Sequence, residues 1–314
     1  MAKSLERLSA EPTLFAIDGS VKRLTNAYDI LPPKVIDFDT KTRISNWVDG
    51  SAADWTFNLP NMDHYDIVIS DNLIDILKVR SDAWISGSFF WHKALIGCSK
   101  EISQISEELL QKNKPRVISS RMFSASYLKN NTIQHEVGLF GQLSQVATNK
   151  IRRNSALISC GQGADEGVVR LFSEFIERIV HYDNIPFEVV WVDPIIFPRL
   201  KVPCWMKMAD YTSDMYESIS VAIIRPGIGT VTDSLTFGAK LFMYYESNNL
   251  EMSENAKRIE SYNLGESFFD IKNAWLSSIN YLNNDCLKQD HKNYLKSIGV
   301  NGADQAARII LDEY

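Results

Sequence analysis

The chain has 314 residues, which suits two domains better than one, and 45% of them are hydrophobic, enough for sizeable cores. The formal net charge of −6 gives no support to a nucleic-acid partner or to an anionic membrane surface. Four cysteines lie far apart, no apolar run reaches about eighteen residues, and the polar N-terminus has no signal-peptide core. We therefore expect a cytoplasmic protein with reduced thiols; peripheral membrane association is the alternative.

The first half alternates predicted strands with short helices, beginning with a helix over residues 1–10. This alternation is typical of a parallel sheet that is covered by helices. The polar, basic stretch 148–154 is the predicted boundary between a first domain, 1–150, and a second domain, 151–314. The predicted strands of the first domain cover 13–17, 35–38, 65–70, 83–85 and 117–119.

Candidate chemistry in the first half lies at predicted strand ends. The Asp-Phe-Asp run at 37–39 could hold a metal–diphosphate, but such a pair is common and a structural role is favoured. Asp71 follows the strand 65–70, and the loop 86–92 follows the next strand and ends at His92. Ligands bind at the carboxyl ends of strands in open α/β sheets, so Asp71 and His92 are the candidate catalytic bases. The alternative is a capped strand with an aromatic core cluster.

The second half opens with a strand over 156–160, a glycine turn, Gly161-Gln162-Gly163-Ala164, and an amphipathic helix over 166–181. The unpaired N–H groups at a helix start form an anion site, and glycine lets a phosphate approach the backbone. No Gly-Lys follows the turn, and the third glycine stands one place late. Both departures argue against a P-loop and against a simple dinucleotide-binding motif.

A second strand–glycine–helix unit begins with the apolar run 221–224. Gly227 and Gly229 then open a helix over 230–237, which repeats the arrangement of an anion site. Asp233 lies one turn into this helix, where it could accept hydrogen bonds from a ribose. An ordinary strand–helix turn is the alternative, because a Gly-x-Gly pair in a turn is weak support.

The remaining elements continue the alternation. The final helix combines small and apolar residues, and we expect it to pack as a covering helix of the second domain. The predicted strands cover 187–192 and 241–245, and the predicted helices cover 209–217, 251–262, 270–281, 286–297 and 303–313.

Three blocks of the second half together resemble the donor-binding domain of inverting GT-B glycosyltransferases, most closely that of the peptidoglycan N-acetylglucosaminyltransferase-like family 28. The turn 161–164 resembles the first glycine loop of that domain. The run 225–233, Arg-Pro-Gly-Ile-Gly-Thr-Val-Thr-Asp, is similar to the loop that meets the diphosphate, and 251–256 to the helix beside the donor sugar. The donor-binding residues that this resemblance implies are Gly161, Gln162, Gly163, Arg225, Gly227, Ile228, Gly229, Thr230, Asp233, Glu251 and Asn255.

The resemblance implies two Rossmann-like parallel-sheet domains with a cleft between them, and sugar transfer from a nucleotide-diphosphate donor, in particular a UDP-sugar. It implies direct displacement at the anomeric carbon with inversion and without a metal or another cofactor. Helix N-termini would stabilise the leaving diphosphate. Asp233 would bind the ribose, Glu251 would bind sugar hydroxyls, and a base of the first domain, His92 or Asp71, would deprotonate an acceptor.

Two departures from the family pattern affect these expectations. The strand and glycine-rich loop that precede the first helix in the family have no counterpart before the helix at 1–8. A trimmed start, a lost strand or a strand from a partner chain would each explain this. Met252 stands where the family often has glutamine, and a thioether cannot donate a hydrogen bond to a sugar hydroxyl.

The sequence leaves other functions open. A nucleotide-sugar hydrolase or epimerase would use the same fold, and a non-catalytic nucleotide-sugar-binding subunit would lack the base. The acceptor could be a carbohydrate, a lipid-linked molecule or another small molecule. A homo-oligomer or a partner chain remains an alternative to a monomer, and no nucleic-acid partner is expected.

Overall fold

A computed structural model describes residues 1–17, 35–39, 54–94, 98–141, 154–161, 164–182, 185–198, 202–247 and 249–314. The chain forms two compact units. The first contains Met1–Phe140 together with Asn301–Tyr314, and the second contains Gly141–Val300. Each unit is built on its own sheet of parallel strands with helices packed against it.

The first unit contains a four-stranded sheet and a separate pair of strands, all parallel. The pair is β1 (Leu14–Ile17) and β2 (Val35–Asp39), and the larger sheet has the order β3 (Ile69–Asp71), β4 (Trp84–Ser86), β5 (Arg116–Ser120), β6 (Ile133–Val137). Its helices are α1 (Ala2–Arg7), α2 (Trp91–Ala94), α3 (Lys100–Asn113) and, from the end of the chain, α10 (Gly302–Asp312). Short 3-10 helices cover Trp55–Asn58, Met62–His64, Ile74–Lys78 and Ser126–Lys129.

The second unit contains a six-stranded parallel sheet. In spatial order its strands are β12 (Gly265–Phe268), β11 (Lys240–Tyr244), β10 (Ile219–Ile224), β7 (Ser155–Ser159), β8 (Val189–Val192) and β9 (Met206–Met208). Its helices are α4 (Glu166–Ile179), α5 (Ser213–Ser218), α6 (Ile228–Thr236), α7 (Leu250–Ser261), α8 (Ile271–Leu282) and α9 (Asp285–Ile298), with a 3-10 turn at Pro194–Ile196. Among the described residues, no helix has the length and apolar character that crossing a membrane requires.

The core of the second unit follows from its sequence patterns. The central strands β7 and β10 are mostly apolar and almost wholly buried, as expected for strands that are covered on both faces. Helix α4 begins at Asp165, whose side chain accepts the N–H of Val168 at 2.9 Å. Its apolar face packs on the sheet through Val168, Phe172, Phe175, Ile176 and Ile179.

The last helix belongs to the first unit, and not to the second domain as predicted. Trp84, Ile118 and Val137 lie on the strands of the first sheet. Ala306 and Ile310 of α10 pack against them in one cluster, so α10 covers that face. That face would be exposed without α10, and its burial explains why the chain returns to the first unit. The observed division also falls at 140/141, whereas the predicted one falls at 150/151; residues 142–153 lie outside the described part of the chain.

Candidate functional site

The two predicted glycine turns lie side by side at the carboxyl edge of the second sheet. Strand β7 leads through α4 to β8 on one side, whereas the neighbouring strand β10 leads through α6 to β11 on the other. The Arg225 N–H donates to the carbonyl of Ser159 at 3.1 Å, which joins the two strand ends. A point where consecutive connections diverge is where open parallel sheets bind ligands.

Helix α6 presents an open N-terminus at this point. Its N-cap is Gly227, which supplies no side-chain cap, and the first intrahelical bond is made by Val231. Within the described chain, the N–H groups of Ile228, Gly229 and Thr230 meet no acceptor. Among the described residues, and apart from the chain neighbours and the backbone of the helix itself, no atom lies within 4 Å of the position that a Cβ would take at Gly227 or Gly229. Open N–H groups, a helix dipole and free space are the features that allow a helix start to bind an anion.

Neighbouring elements hold the turn before α6 in place. The Arg225 Nε lies 3.0 and 3.1 Å from the two carboxylate oxygens of Glu246, which follows β11, and both side chains are largely buried. The Asn255 Nδ2 of α7 donates to the buried carbonyl of Pro226 at 3.0 Å. The Asn255 amide, predicted to contact a donor, therefore supports the turn. Sequence reasoning missed Glu246, because the sequence does not show that the strand before Glu246 adjoins the strand before Arg225.

The predicted anion site at the start of α4 is occupied by a carboxylate. Asp165 caps this helix, so a negative charge already lies where a phosphate was expected. Gly161 has a φ of +74°, which favours glycine, and its N–H donates to the Ser159 Oγ at 3.2 Å. Gln162 and Gly163 lie outside the described residues. The described part of this turn thus offers no counterpart to the open N-terminus of α6.

A buried network of hydrogen bonds holds the Gly161 turn in place. The Ser159 hydroxyl donates to the Asp193 Oδ2 at 2.6 Å and lies 3.2 Å from the Tyr211 hydroxyl. Burial raises the pKa of the Tyr211 hydroxyl, and it raises the pKa of the neighbouring Cys160 thiol to about 12, so both groups are neutral at physiological pH. The sequence did not indicate this network, because its members come from the ends of separate strands.

The remaining predicted residues of the second unit occupy different environments. Asp233 is 6% exposed, on the buried side of α6, and Thr230 is half-buried near the helix start. Glu251 is half-buried in the first turn of α7, and burial raises the pKa of its carboxyl against the opposing effect of Arg225. Met252, at the departure from the family pattern, is buried, so its thioether packs in the interior.

The two candidate bases of the first unit differ in accessibility. Asp71 ends β3 opposite Ser86 of β4 and keeps contact with solvent, yet the protein atoms that surround it raise the pKa of its carboxyl. His92 has a side chain that is 1% exposed, its Nε2 lies 2.9 Å from a Glu107 oxygen, and its ring stacks on Phe90. The alternative interpretation of an aromatic core cluster therefore describes the position of His92. The side chains of the Asp-Phe-Asp run at 37–39 lie outside the described part of the chain.

The enclosed His92 gives a testable pH dependence. Burial lowers its pKa from the ordinary value of 6.5, although Glu107 acts in the opposite direction. The unfolded chain therefore takes up this proton at a higher pH than the folded protein does, so the free energy of unfolding falls as the pH drops below about 6.5. We expect His92→Gln to reduce that fall by up to about 1 kcal/mol between pH 7.5 and 5.5, measured by urea unfolding. Parallel pH dependences in the two proteins would contradict this assignment.

The described residues contain no group of three His, Cys, Asp or Glu side chains arranged to hold a metal ion.

Comparison with protein-family models and with curated proteins finds no match for this sequence. Solved structures, in contrast, resemble the whole chain. The glycosyltransferase SnogD from Streptomyces nogalater matches with a TM-score of 0.63 at 12% identity, and spinosyn forosaminyltransferase SpnP with 0.62 at 11%. MurG of Acinetobacter baumannii matches with 0.54 at 13%, and each match covers 99% of this chain and 94% of the other.

Similarity at such low identity establishes the fold and nothing finer. The predicted α/β class with two Rossmann-like parallel-sheet domains is confirmed. The predicted resemblance to GT-B glycosyltransferases is confirmed at the same level, because the structures that match over nearly their whole length include enzymes of that type.

Proposed function

We propose that this protein is a glycosyltransferase that binds a nucleotide-diphosphate sugar, in particular a UDP-sugar, with the diphosphate at the N-terminus of α6. The observation that carries the proposal is the open helix start between Gly227 and Thr230, located where the connections of β7 and β10 diverge. The likeness in fold to glycosyltransferases supports the choice of a nucleotide sugar over other anions.

The chemistry we propose is direct displacement at the anomeric carbon, with inversion and without a metal. As the bond to the sugar breaks, negative charge develops on the leaving diphosphate. Backbone N–H groups of Ile228, Gly229 and Thr230 and the dipole of α6 would stabilise that charge. Preorganisation by Glu246 and Asn255 keeps these donors aligned before the reaction. In this proposal Glu251 contacts the sugar, and the ribose role predicted for Asp233 stays a prediction, because that side chain is 6% exposed.

Asp71 is the preferred general base in this proposal. The residue is exposed to solvent, and burial of its carboxyl raises the pKa, which brings the proton affinity nearer to that of a working base. His92 is enclosed and already bonded to Glu107. A non-catalytic nucleotide-sugar-binding protein is the second candidate, because one of the two predicted bases is not accessible.

A thermal-shift titration tests the proposal. UDP, dTDP, GDP and CMP are compared, each with magnesium and with a chelator. Specific binding at a hundredfold excess over the dissociation constant stabilises a fold by about 2.7 kcal/mol. We expect a shift with UDP that survives chelation, and no shift with any nucleotide would overturn the proposal. Release of UDP from a UDP-sugar in the presence of acceptor candidates then separates the transferase from the binding protein.

The support that Asn255 gives to the turn predicts a further result. Asn255→Ala leaves the buried Pro226 carbonyl without its donor, which costs about 1–2 kcal/mol of stability. We also expect UDP affinity to fall by about tenfold, because the N–H groups that follow the turn lose their alignment. Isothermal titration measures the affinity. Asn284→Ala is the control, since it removes the cap of α9 at a cost of about 1 kcal/mol without touching the turn. Equal affinity in the two variants would refute the positioning role.

A further inference from the structure

Helix α7 brings an acidic side chain to the open helix start. Asn255 is anchored on the Pro226 carbonyl, so the face of α7 that carries it is turned toward the α6 turn. Glu251 precedes Asn255 by four residues and therefore lies on the same face, one turn nearer the start of α7. Its carboxylate acts electrostatically with Arg225, which belongs to that turn.

The charges around this turn do not balance. Arg225 directs its Nε to both oxygens of Glu246, so its positive charge is largely neutralised. Asp165 at the start of α4 adds a further carboxylate, and it acts with Glu246 on the Tyr244 hydroxyl. Within the described chain Glu251 makes no hydrogen bond or ion pair, and Arg225 is the charged group that acts on its carboxyl. Among the described residues whose charges act at this turn, the carboxylates of Glu246, Glu251 and Asp165 therefore stand against the guanidinium of Arg225.

This imbalance has a consequence for the ligand. A half-buried carboxylate that makes no hydrogen bond within the described chain is held at a cost, and beside a bound diphosphate it meets charge of the same sign. The sugar is attached directly to the diphosphate, so it is the part of the donor that reaches the side chains around the anion site. An ammonium group on that sugar would turn the repulsion at Glu251 into attraction.

We propose that Glu251 selects donors whose sugar carries a free amino group, so that the substrate class is a nucleotide-diphosphate amino sugar. This inference rests on the proposed function, because that proposal assigns the diphosphate to the start of α6. Glu251 acts here as a specificity-determining residue, and its role is one of charge rather than of shape.

Isothermal titration at low salt tests the inference with UDP, UDP-glucose, UDP-glucosamine and UDP-N-acetylglucosamine, or with the thymidine counterparts if dTDP is the nucleotide that binds. UDP-glucosamine is expected to bind about fivefold more tightly than UDP-glucose, as for a partly exposed ion pair, and higher salt reduces the difference. In UDP-N-acetylglucosamine the acetylated nitrogen carries no charge, so this donor should bind with the same affinity as UDP-glucose. Glu251→Gln should abolish the preference.

Glu254→Gln is the matched control on the same helix, because Glu254 is exposed and pairs with Lys257. It should keep the preference. Failure of every nucleotide to bind would overturn the proposed function itself. Binding of UDP with equal affinity for the two sugars, or a preference that persists in Glu251→Gln, would overturn this inference while leaving the proposed function intact.

Discussion

Gly229→Asp is expected to lower the affinity for UDP by about 100-fold while the protein stays as stable as the wild type or becomes more stable. Gly229 lies in the first turn of α6, and no described atom beyond its chain neighbours and the helix backbone is within 4 Å of the position of a Cβ there. A carboxylate in the first turn of a helix is favourable, and replacing a helical glycine adds stability. The same carboxylate repels a diphosphate and competes for its N–H donors, each worth about 1.5–3 kcal/mol to a charged acceptor.

The opposite signs of the two effects make this substitution informative. Thermal unfolding and isothermal titration on the same preparation measure stability and affinity together. Gly229→Ala is the control: it adds a methyl group without charge, and we expect a smaller loss of affinity from restricted approach to the backbone. If Gly229→Asp binds UDP with the affinity of the wild type, the start of α6 does not bind the diphosphate.

Gly302→Ala is expected to cause the largest loss of stability among the substitutions considered. A Cβ at this position would lie 2.1 Å from the carbonyl oxygen of Gly138 and 2.8 Å from that of Leu139. Both obstacles are backbone atoms, and the Gly302 N–H also donates to the Leu139 carbonyl at 3.0 Å. Helix α10 must shift on the first sheet, at a cost of about 3 kcal/mol, which lowers Tm by roughly 6–12 °C.

Differential scanning calorimetry measures this change. The comparison with Gly229→Ala separates the cost of the contact from any general effect of replacing glycine, because Gly229 has open space around it. An unchanged Tm in Gly302→Ala would mean that α10 does not depend on its close approach to residues 138–139.

Much of the second sheet could be predicted from the sequence. Apolar runs that end at glycine predicted β7 and β10, and 3.6-residue periodicity predicted α4 within two residues of its observed bounds. Prediction from the sequence was wrong or incomplete for elements whose position depends on tertiary contacts. Strand β12, which begins at Gly265, was not among the predicted strands, because its pairing with β11 rather than a local preference forms it. Helix α10 was assigned to the wrong unit, because periodicity identifies an apolar face without identifying its partner.

The candidate site was predictable in type and not in detail. Each glycine turn was correctly expected between a strand and a helix, and the structure places both turns at the ends of the neighbouring strands β7 and β10, an adjacency that the sequence did not predict. The cap at Asp165, which closes one of the two predicted anion sites, follows from local hydrogen bonding that competes with the glycine pattern. The pair of Arg225 and Glu246 depends on strand order, which a single sequence does not reveal.

The most direct test of the central claim follows the glycine amides themselves. A protein labelled with ¹⁵N at glycine is titrated with UDP, and its amide resonances are assigned by single substitutions. We predict that Gly227 and Gly229 shift strongly and with one dissociation constant, while Gly265 and Gly302 stay unchanged, because the diphosphate accepts hydrogen bonds from the start of α6. UDP binding that leaves Gly227 and Gly229 unperturbed would contradict the account.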